Sequence, residues 1–335
     1  MANRKSLSEN LWLAPEVSTV PDFIICGAMK AGTSTLHQIL NHHPDIFIPD
    51  PEIHFFDIDD LLSHPDFFFC QGENWIQPDI RESPLDFWNW YSSFFEDSQP
   101  GQIIGEDSTV YMTSRRALER ISLQDKHIKL IFSLRQPTDR AYSQYWHMVR
   151  TGRAIYNFED TIQHEPDSIL SRSLYSRHIK QALQYIPRDR IKFLIFEDFL
   201  NNKEAVLKDL CNFLGLDENL IPKTAYDLHS NRTTIPFNLK LKLLRNQFLR
   251  SHETFYLSHL PLSLGEDFNK KLSLKKILSK IHAKINPEKT GKIPKIHSGT
   301  KNTLDFYFQR ELQDLSDLID KDVTDLWFSH LDITS

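Results

Sequence analysis

The chain has 335 residues, 40% apolar and 25% charged, with a net charge of −6; this is globular composition and excludes a wholly disordered chain. Ten glycines and 17 prolines are too few for collagen or low-complexity sequence, and three scattered cysteines, Cys26, Cys70 and Cys211, without CxxC spacing, argue against a disulfide scaffold or a cysteine zinc site. No apolar run approaches the ~20 residues of a membrane span and no apolar signal segment opens the chain, so a cytoplasmic location is expected.

The first 21 residues read as a tail or an edge wrapping. Residues 22–26 are a short apolar run ending at Gly27, the pattern of a buried strand entering a loop. Thr33, Ser34 and Thr35 open a helix whose apolar face is Leu36, Ile39 and Leu40, and His43-Pro44 stops it. Further buried strands are expected over 102–105, 127–134 and 190–196, with helices over 114–121, 138–151, 173–185 and 203–214. Strands alternating with helices imply βαβ units, hence an α/β fold: a parallel sheet with helices on both faces, in a single domain over 22–330.

Residues 238–301 differ in character. Between Leu239 and Lys301 there are 14 Lys/Arg against 4 Asp/Glu. Leu241, Leu244 and Phe248 have helical spacing, as do Leu274, Ile277, Leu278, Ile281 and Ile285 among Lys270, Lys271, Lys275, Lys276, Lys280 and Lys284. This reads as a basic helical insertion, either a solvated face or a lid beside an anionic ligand and able to touch a membrane surface. A Pro/Gly/Lys loop over 286–295 and a last helix over 303–319 follow.

The chemistry-bearing motif is Gly27-Ala28-Met29-Lys30-Ala31-Gly32-Thr33-Ser34-Thr35, between a predicted strand and a predicted helix. Glycines five apart at a helix N-terminus make a phosphate cradle. A nucleotide-triphosphatase loop would end in Gly-Lys-Ser/Thr, whereas Thr33 follows Gly32 here and the lysine lies inside the loop. That displacement counts against a P-loop nucleotide kinase, the rival enzyme class. A non-catalytic anion- or membrane-binding protein built on the basic insertion is the rival of another kind.

The run from Lys30 through Ala31, Gly32, Thr33, Ser34 and Thr35 resembles the 5′-phosphosulfate loop of sulfotransferases that use 3′-phosphoadenosine 5′-phosphosulfate (PAPS). The resemblance implies that these residues bind the cosubstrate and that Lys30 offsets charge developing on the leaving group. A predicted strand ending in Arg135-Gln136-Pro137, followed by Ser143 on the next helix, is similar to the family's 3′-phosphate element and implies that Arg135 and Ser143 clamp that phosphate. Glu52-Ile53-His54-Phe55-Phe56-Asp57 resembles an element of the heparan sulfate branch and its bacterial relatives, which implies Glu52 as the base for an acceptor hydroxyl, with His54 beside it. Lys289-Thr290-Gly291-Lys292 is a loose counterpart of the cofactor loop, which implies Lys292.

The sequence departs from that branch at Asp107, where the heparan sulfate enzymes carry a lysine after the glutamate, and at Pro51, where bacterial relatives often carry a lysine. His54 and Asp107 are the next candidates for the base. The implied reaction passes sulfuryl from PAPS to a hydroxyl or amine of a carbohydrate, lipid or other small molecule, leaving adenosine 3′,5′-bisphosphate, with no metal and no nucleic-acid partner.

Overall fold

The computed structural model describes residues 10–71, 73–228, 234–249, 260–261 and 277–331. Its centre is a five-stranded sheet of β1 (Phe23–Gly27), β2 (Ile46–Phe47), β5 (Ile103–Asp107), β6 (Lys129–Leu134) and β7 (Ile191–Ile195), in the order β2-β5-β1-β6-β7. Every neighbouring pair is parallel. All five residues of β1 are buried, which is why the strand reads as one apolar run rather than an alternation: both faces are covered. Its side chains still alternate in direction. Ile24 and Cys26 enter the larger core with Phe55, Trp88 and Phe132, while Phe23 and Ile25 enter the second core with Leu36, Ile39 and Leu210.

The two faces position the site. The helix Thr33–Leu40, which follows β1, packs Leu36, Ile39 and Leu40 into the second core. The helix Pro137–Thr151, which follows β6, packs Ala141, Tyr145 and Val149 into the larger one. The chain therefore leaves the carboxyl ends of two adjacent strands toward opposite faces. That opens a crevice at a topological switch point. Gly27 closes the end of β1 at φ +126°, and a Cβ there would lie 2.4 Å from the Thr109 carbonyl oxygen.

The strands and the helices around them follow the sequence expectation closely, and the differences have physical causes. Residues 10–20 are a wrapping, not a free tail. The Trp88 indole donates to the Leu11 carbonyl at 3.0 Å, Gln124 bonds the backbone of Trp12 and Ala14, and the Arg120 guanidinium lies 3.4 Å from the Trp12 ring centre. The helix expected over 173–185 is shorter, Tyr175–Ala182. The expected last helix is two, Ser298–Glu311 and Leu315–Ile319, broken at Leu312 (φ −116°, ψ 20°). Leu312 and Leu315 are both buried, so the apolar stripe runs through the break and hides it. The 286–295 loop contains β9 (Glu288–Thr290), antiparallel to β8 (Thr234–Pro236). A hairpin of β3 (Phe69–Gln71) and β4 (Asn74–Ile76) was not expected.

Of the basic insertion, Lys270, Lys271, Leu274, Lys275 and Lys276 lie outside the described residues. Residues 277–285 are helical, with Ile277, Leu278, Ile281 and Ile285 exposed, and Arg245 Nη2 ties them to the helix Leu239–Leu249 through Ser279 Oγ at 2.6 Å. Among the described residues no helix is long and apolar enough to cross a membrane.

The C-terminal helices brace the end of β6. Asp305, fully buried, accepts from Gln136 Nε2 at 2.7 Å and Lys301 Nζ at 2.7 Å, and faces His330 Nε2 at 2.9 Å. Glu197 accepts from the Gln136 amide at 2.9 Å and from the Trp327 indole at 3.0 Å.

The Gly27→Ala variant is expected to lose stability, because its Cβ meets a backbone carbonyl that no rotamer can move and its φ disfavours a side chain. A strained residue of this kind costs about 1–3 kcal/mol. Urea unfolding of the ligand-free chain measures it, and an unchanged midpoint would contradict the close packing of β1 on the Thr109 turn.

Candidate active site

The phosphate loop is shaped by two residues with left-handed backbone, Lys30 at φ 69° and Gly32 at φ 83°. A Cβ on Gly32 would come within 2.8 Å of the Phe196 ring, so this position requires glycine on two counts. Strand β6 holds the loop from the side. Ser133 Oγ donates to the Ala31 carbonyl at 2.6 Å, the Ala28 amide donates to the Ser133 carbonyl at 2.8 Å, and Arg135 Nη1 donates to the Lys30 carbonyl at 3.1 Å. The Arg135 guanidinium also rests 4.8 Å from the centre of the Phe196 ring. Gly32 caps the helix that begins at Thr33, whose first amides have no intrahelical acceptor and are aimed at an anion. Ala31 and Thr33 are buried behind the loop, while Ser34 and Thr35 are half-buried at the helix mouth.

Positive charge accumulates here. Burial and the Arg150 guanidinium pull the Lys30 ammonium down to about 8, with Arg135 and Arg140 adding to the pull and Glu52 opposing it. Arg140 is fully buried; its Nε donates to Ser173 Oγ at 2.5 Å and its Nη2 to the Ile169 carbonyl, and burial brings it down to about 10. Burial and the neighbouring Lys30 and Arg150 drive His147 down to about 3, so it is neutral. Arg172 is likewise lowered, by burial and by Arg153.

Of the residues expected from sequence, Lys30 and Arg135 are in direct contact. Ser143 lies half-buried on the helix Pro137–Thr151. Sequence reasoning passed over His147 and Arg150, although they follow Ser143 at i+4 and i+7 and so share its helix face. It also missed Arg140, Arg153 and the role of Arg172 in this field. Lys292 is exposed just beyond β9, and among the described residues no hydrogen bond or ion pair joins it to the loop.

Glu52 stands beside this cationic group. Its Oε2 accepts from Thr109 Oγ1 at 2.9 Å and lies 3.4 Å from His54 Nε2. Burial favours the neutral carboxyl, but the bond from His54 and that from Thr109 outweigh it and hold Glu52 below the usual carboxylate range. Burial likewise disfavours a charged His54, and Glu52 outweighs it, so His54 is raised. Each partner thus favours the charged form of the other.

His54 is fixed by its surroundings. Its backbone is left-handed, at φ 57°, and its amide donates to Ser108 Oγ at 3.0 Å. Ser108 Oγ and the Tyr91 hydroxyl each donate to Glu106 at 2.6 Å, and burial raises the Glu106 carboxyl. Phe55 stacks on Tyr91 with ring centres 4.2 Å apart, anchoring the turn in the core. Asp107, at the position of the family's lysine, lies 3.3 Å from His37 Nδ1, and burial pushes it up to about 6. Glu52 and His54 open onto a cleft of about 650 Å³, lined also by His64, Trp75, His147 and Arg153. Trp75 is 63% exposed there.

A phosphate cradle at the carboxyl ends of β1 and β6 and a carboxylate beside a cleft define a group-transfer fold, and comparison with known proteins agrees. Residues 20–234 match the sulfotransferase domain family, and the chain belongs to it. It is 27% identical over 256 residues to heparan sulfate glucosamine 3-O-sulfotransferase 5 of Mus musculus, an alignment covering 73% of this chain and 66% of that protein. It is 28% identical over 215 residues to heparan sulfate glucosamine 3-O-sulfotransferase 3B1 of Homo sapiens, covering 62% and 49%. The chain thus spans from about half to about two thirds of the length of these relatives. A sulfotransferase crystal structure from Alicyclobacillus acidocaldarius shares the fold, with a TM-score of 0.55 and 24% identity over 92% of this chain and 98% of that one.

Lys30 gives a pH-dependent signature. An anion in the loop favours the charged ammonium and raises it from about 8 toward its ordinary value of 10.5. Binding between those two values must therefore take up protons. Calorimetry with sulfate, which does not titrate in this range, in two buffers of different ionisation enthalpy should show uptake near pH 9. Lys30→Met should abolish it. Equal apparent enthalpies for the parent chain would contradict the lowered lysine.

Proposed function

We propose that this protein transfers a sulfuryl group from PAPS to a hydroxyl of a carbohydrate, leaving adenosine 3′,5′-bisphosphate. The observation that carries this reading is the direct meeting of Lys30 and Arg135 across a phosphate loop whose lysine sits inside it, with the Glu52 carboxylate in the adjoining cleft. The loop and Arg135 supply separate cationic groups, as a nucleotide phosphorylated at both the 5′ and 3′ positions requires. The relatives named for heparan sulfate favour a glycan, and exposed Trp75 supplies a flat apolar surface for a sugar ring. Cys26 and Cys211 are free, buried thiols, which supports a reducing compartment such as the cytoplasm.

In this reading Glu52 accepts the hydroxyl proton as the acceptor oxygen bonds to sulfur, and His54 keeps the carboxylate oriented. The bond between sulfur and the bridging oxygen breaks on the opposite side, where Lys30 meets the charge left on the 5′-phosphate. The proton passes from Glu52 to solvent and the sulfated acceptor departs. Arg135 and Ser143 hold the 3′-phosphate. Arg140, buried in the first turn of the helix that follows Arg135, adds its charge from behind.

Two variants divide the labour. Lys30→Ala should slow turnover about 10²–10³-fold, as loss of one group stabilising developing charge does, and should also weaken cosubstrate binding. Glu52→Gln should slow it by about 10²–10⁴-fold, the range of a positioned acid–base group, with adenosine 3′,5′-bisphosphate affinity nearly unchanged. Single-turnover rates on one heparan-type oligosaccharide, paired with calorimetric affinities, test both; full rate in Glu52→Gln moves the base to His54 or Asp107. Equal affinity for adenosine 5′-phosphate and the 3′,5′-bisphosphate would remove Arg135 and Ser143 from the 3′ site.

A further inference from the structure

Behind Glu52 lies a cluster that the transfer reaction does not use in full. His54, Asp57 and His64 are all buried, and one donor atom from each lies within 4.8 Å of the other two. Asp57 and His54 come from one tight turn, residues 54–57. His64 arrives from the next loop and its ring lies against that of His54, with centres 4.6 Å apart. One feature is unexplained by hydrogen bonding. His54 Nδ1 is buried with no partner, although the residue is only 4% exposed. Asp57, at 0% exposure, bonds His64 Nε2 through Oδ1 at 2.7 Å, and Ser114 lies beside the same carboxylate. An unsatisfied buried nitrogen beside a carboxylate and a second imidazole forms an incomplete polar site.

We infer that His54, Asp57 and His64 bind a divalent transition-metal ion, with zinc the best match to the donor set. Two imidazoles and one carboxylate are a recurrent three-ligand set for this ion, with a fourth position left for water or a ligand. His54 and His64 line the cleft, so the fourth position opens there.

The outer groups are already in place. A metal-bound histidine commonly donates its second ring N–H to a carboxylate, and His54 Nε2 has Glu52 at 3.4 Å, leaving Nδ1 as the ligating atom. Zinc–nitrogen bonds near 2.0–2.1 Å in a tetrahedron place donors about 3.3 Å apart. The cluster therefore closes by side-chain rotation, opening the short Asp57–His64 contact and drawing in the others. The ion displaces the proton shared by His64 Nε2 and Asp57 Oδ1, so binding releases protons. It also fixes His54 as the Nε2–H tautomer and keeps Glu52 a pure hydrogen-bond acceptor.

This inference rests on the cluster alone and is tested without cosubstrate or acceptor, so its failure and that of the transfer reading are separable. The tag-free full chain is equilibrated with zinc, freed of loose ion by gel filtration, and assayed by plasma mass spectrometry. Calorimetric titration with zinc and the visible spectrum of the cobalt-loaded chain accompany it. The parent chain should retain one equivalent per chain, release protons on binding, and give the intense visible bands of a four-coordinate cobalt site. His64→Ala should weaken zinc binding by more than the ~10–100-fold typical of losing an outer partner. Asp57→Asn should do the same, which guards against misfolding of either variant, and circular dichroism confirms the fold of each. His43→Ala, remote in the fold and bonded to the Asp217 carbonyl, should bind as the parent does. A parent chain that retains no zinc, or equal retention by the parent, His64→Ala and Asp57→Asn, overturns the inference.

Discussion

The structure is organised around positive charge crowded at one crevice and partly withdrawn from water. Lys30, Arg135, Arg140, Arg150 and Arg172 crowd the carboxyl edge of β1 and β6. Arg140 is the extreme case, since its hydrogen bonds run to a hydroxyl and a carbonyl and not to a carboxylate. A buried guanidinium of this kind is costly; burial first, and the neighbouring cations after it, lower both Lys30 and Arg140. The missing countercharge is what a polyanionic ligand supplies. A polyanion bound there should therefore stabilise the fold.

Such crowding is tolerable only on a rigid frame, which the sheet provides. Opposite departures of the chain from β1 and β6 open the crevice, and Ser133 and Arg135 tie the loop's carbonyls back to β6. The loop is thereby held in shape at the mouth of the helix that begins at Thr33. On the other side of the crevice the turn at His54 is pinned by the Phe55–Tyr91 stack and the Glu106 network. Cradle and carboxylate are built on different elements, yet both reference the same three central strands.

What could be read from sequence divides by range. Buried parallel strands announce themselves as apolar runs, and the loop by its glycines and lysine, because both signals are local. The motifs at Lys30, Arg135 and Glu52 were legible for that reason. The cationic field was not, since Arg140, Arg150, Arg153 and Arg172 are unremarkable arginines until the fold brings them together. The pairing of β8 with β9 spans about fifty residues and leaves no local mark. The break at Leu312 was masked because a helix and a tight turn can bury the same leucines. Lys292, chosen by a loose motif, sits exposed in the segment after β9.

The brace at Gln136 bears on what counts as one unit of this protein. The family match ends at residue 234, yet Asp305 and Trp327, far beyond it, satisfy Gln136 and Glu197 inside the matched part. Cutting the chain at residue 234 would take Asp305 from the buried Gln136 side chain and the Trp327 indole from Glu197, directly beside Arg135. The stretch that the family model matches and the unit that packs together therefore have different ends. Helices that carry no recognisable motif act as a structural cofactor in cis for the segment that does.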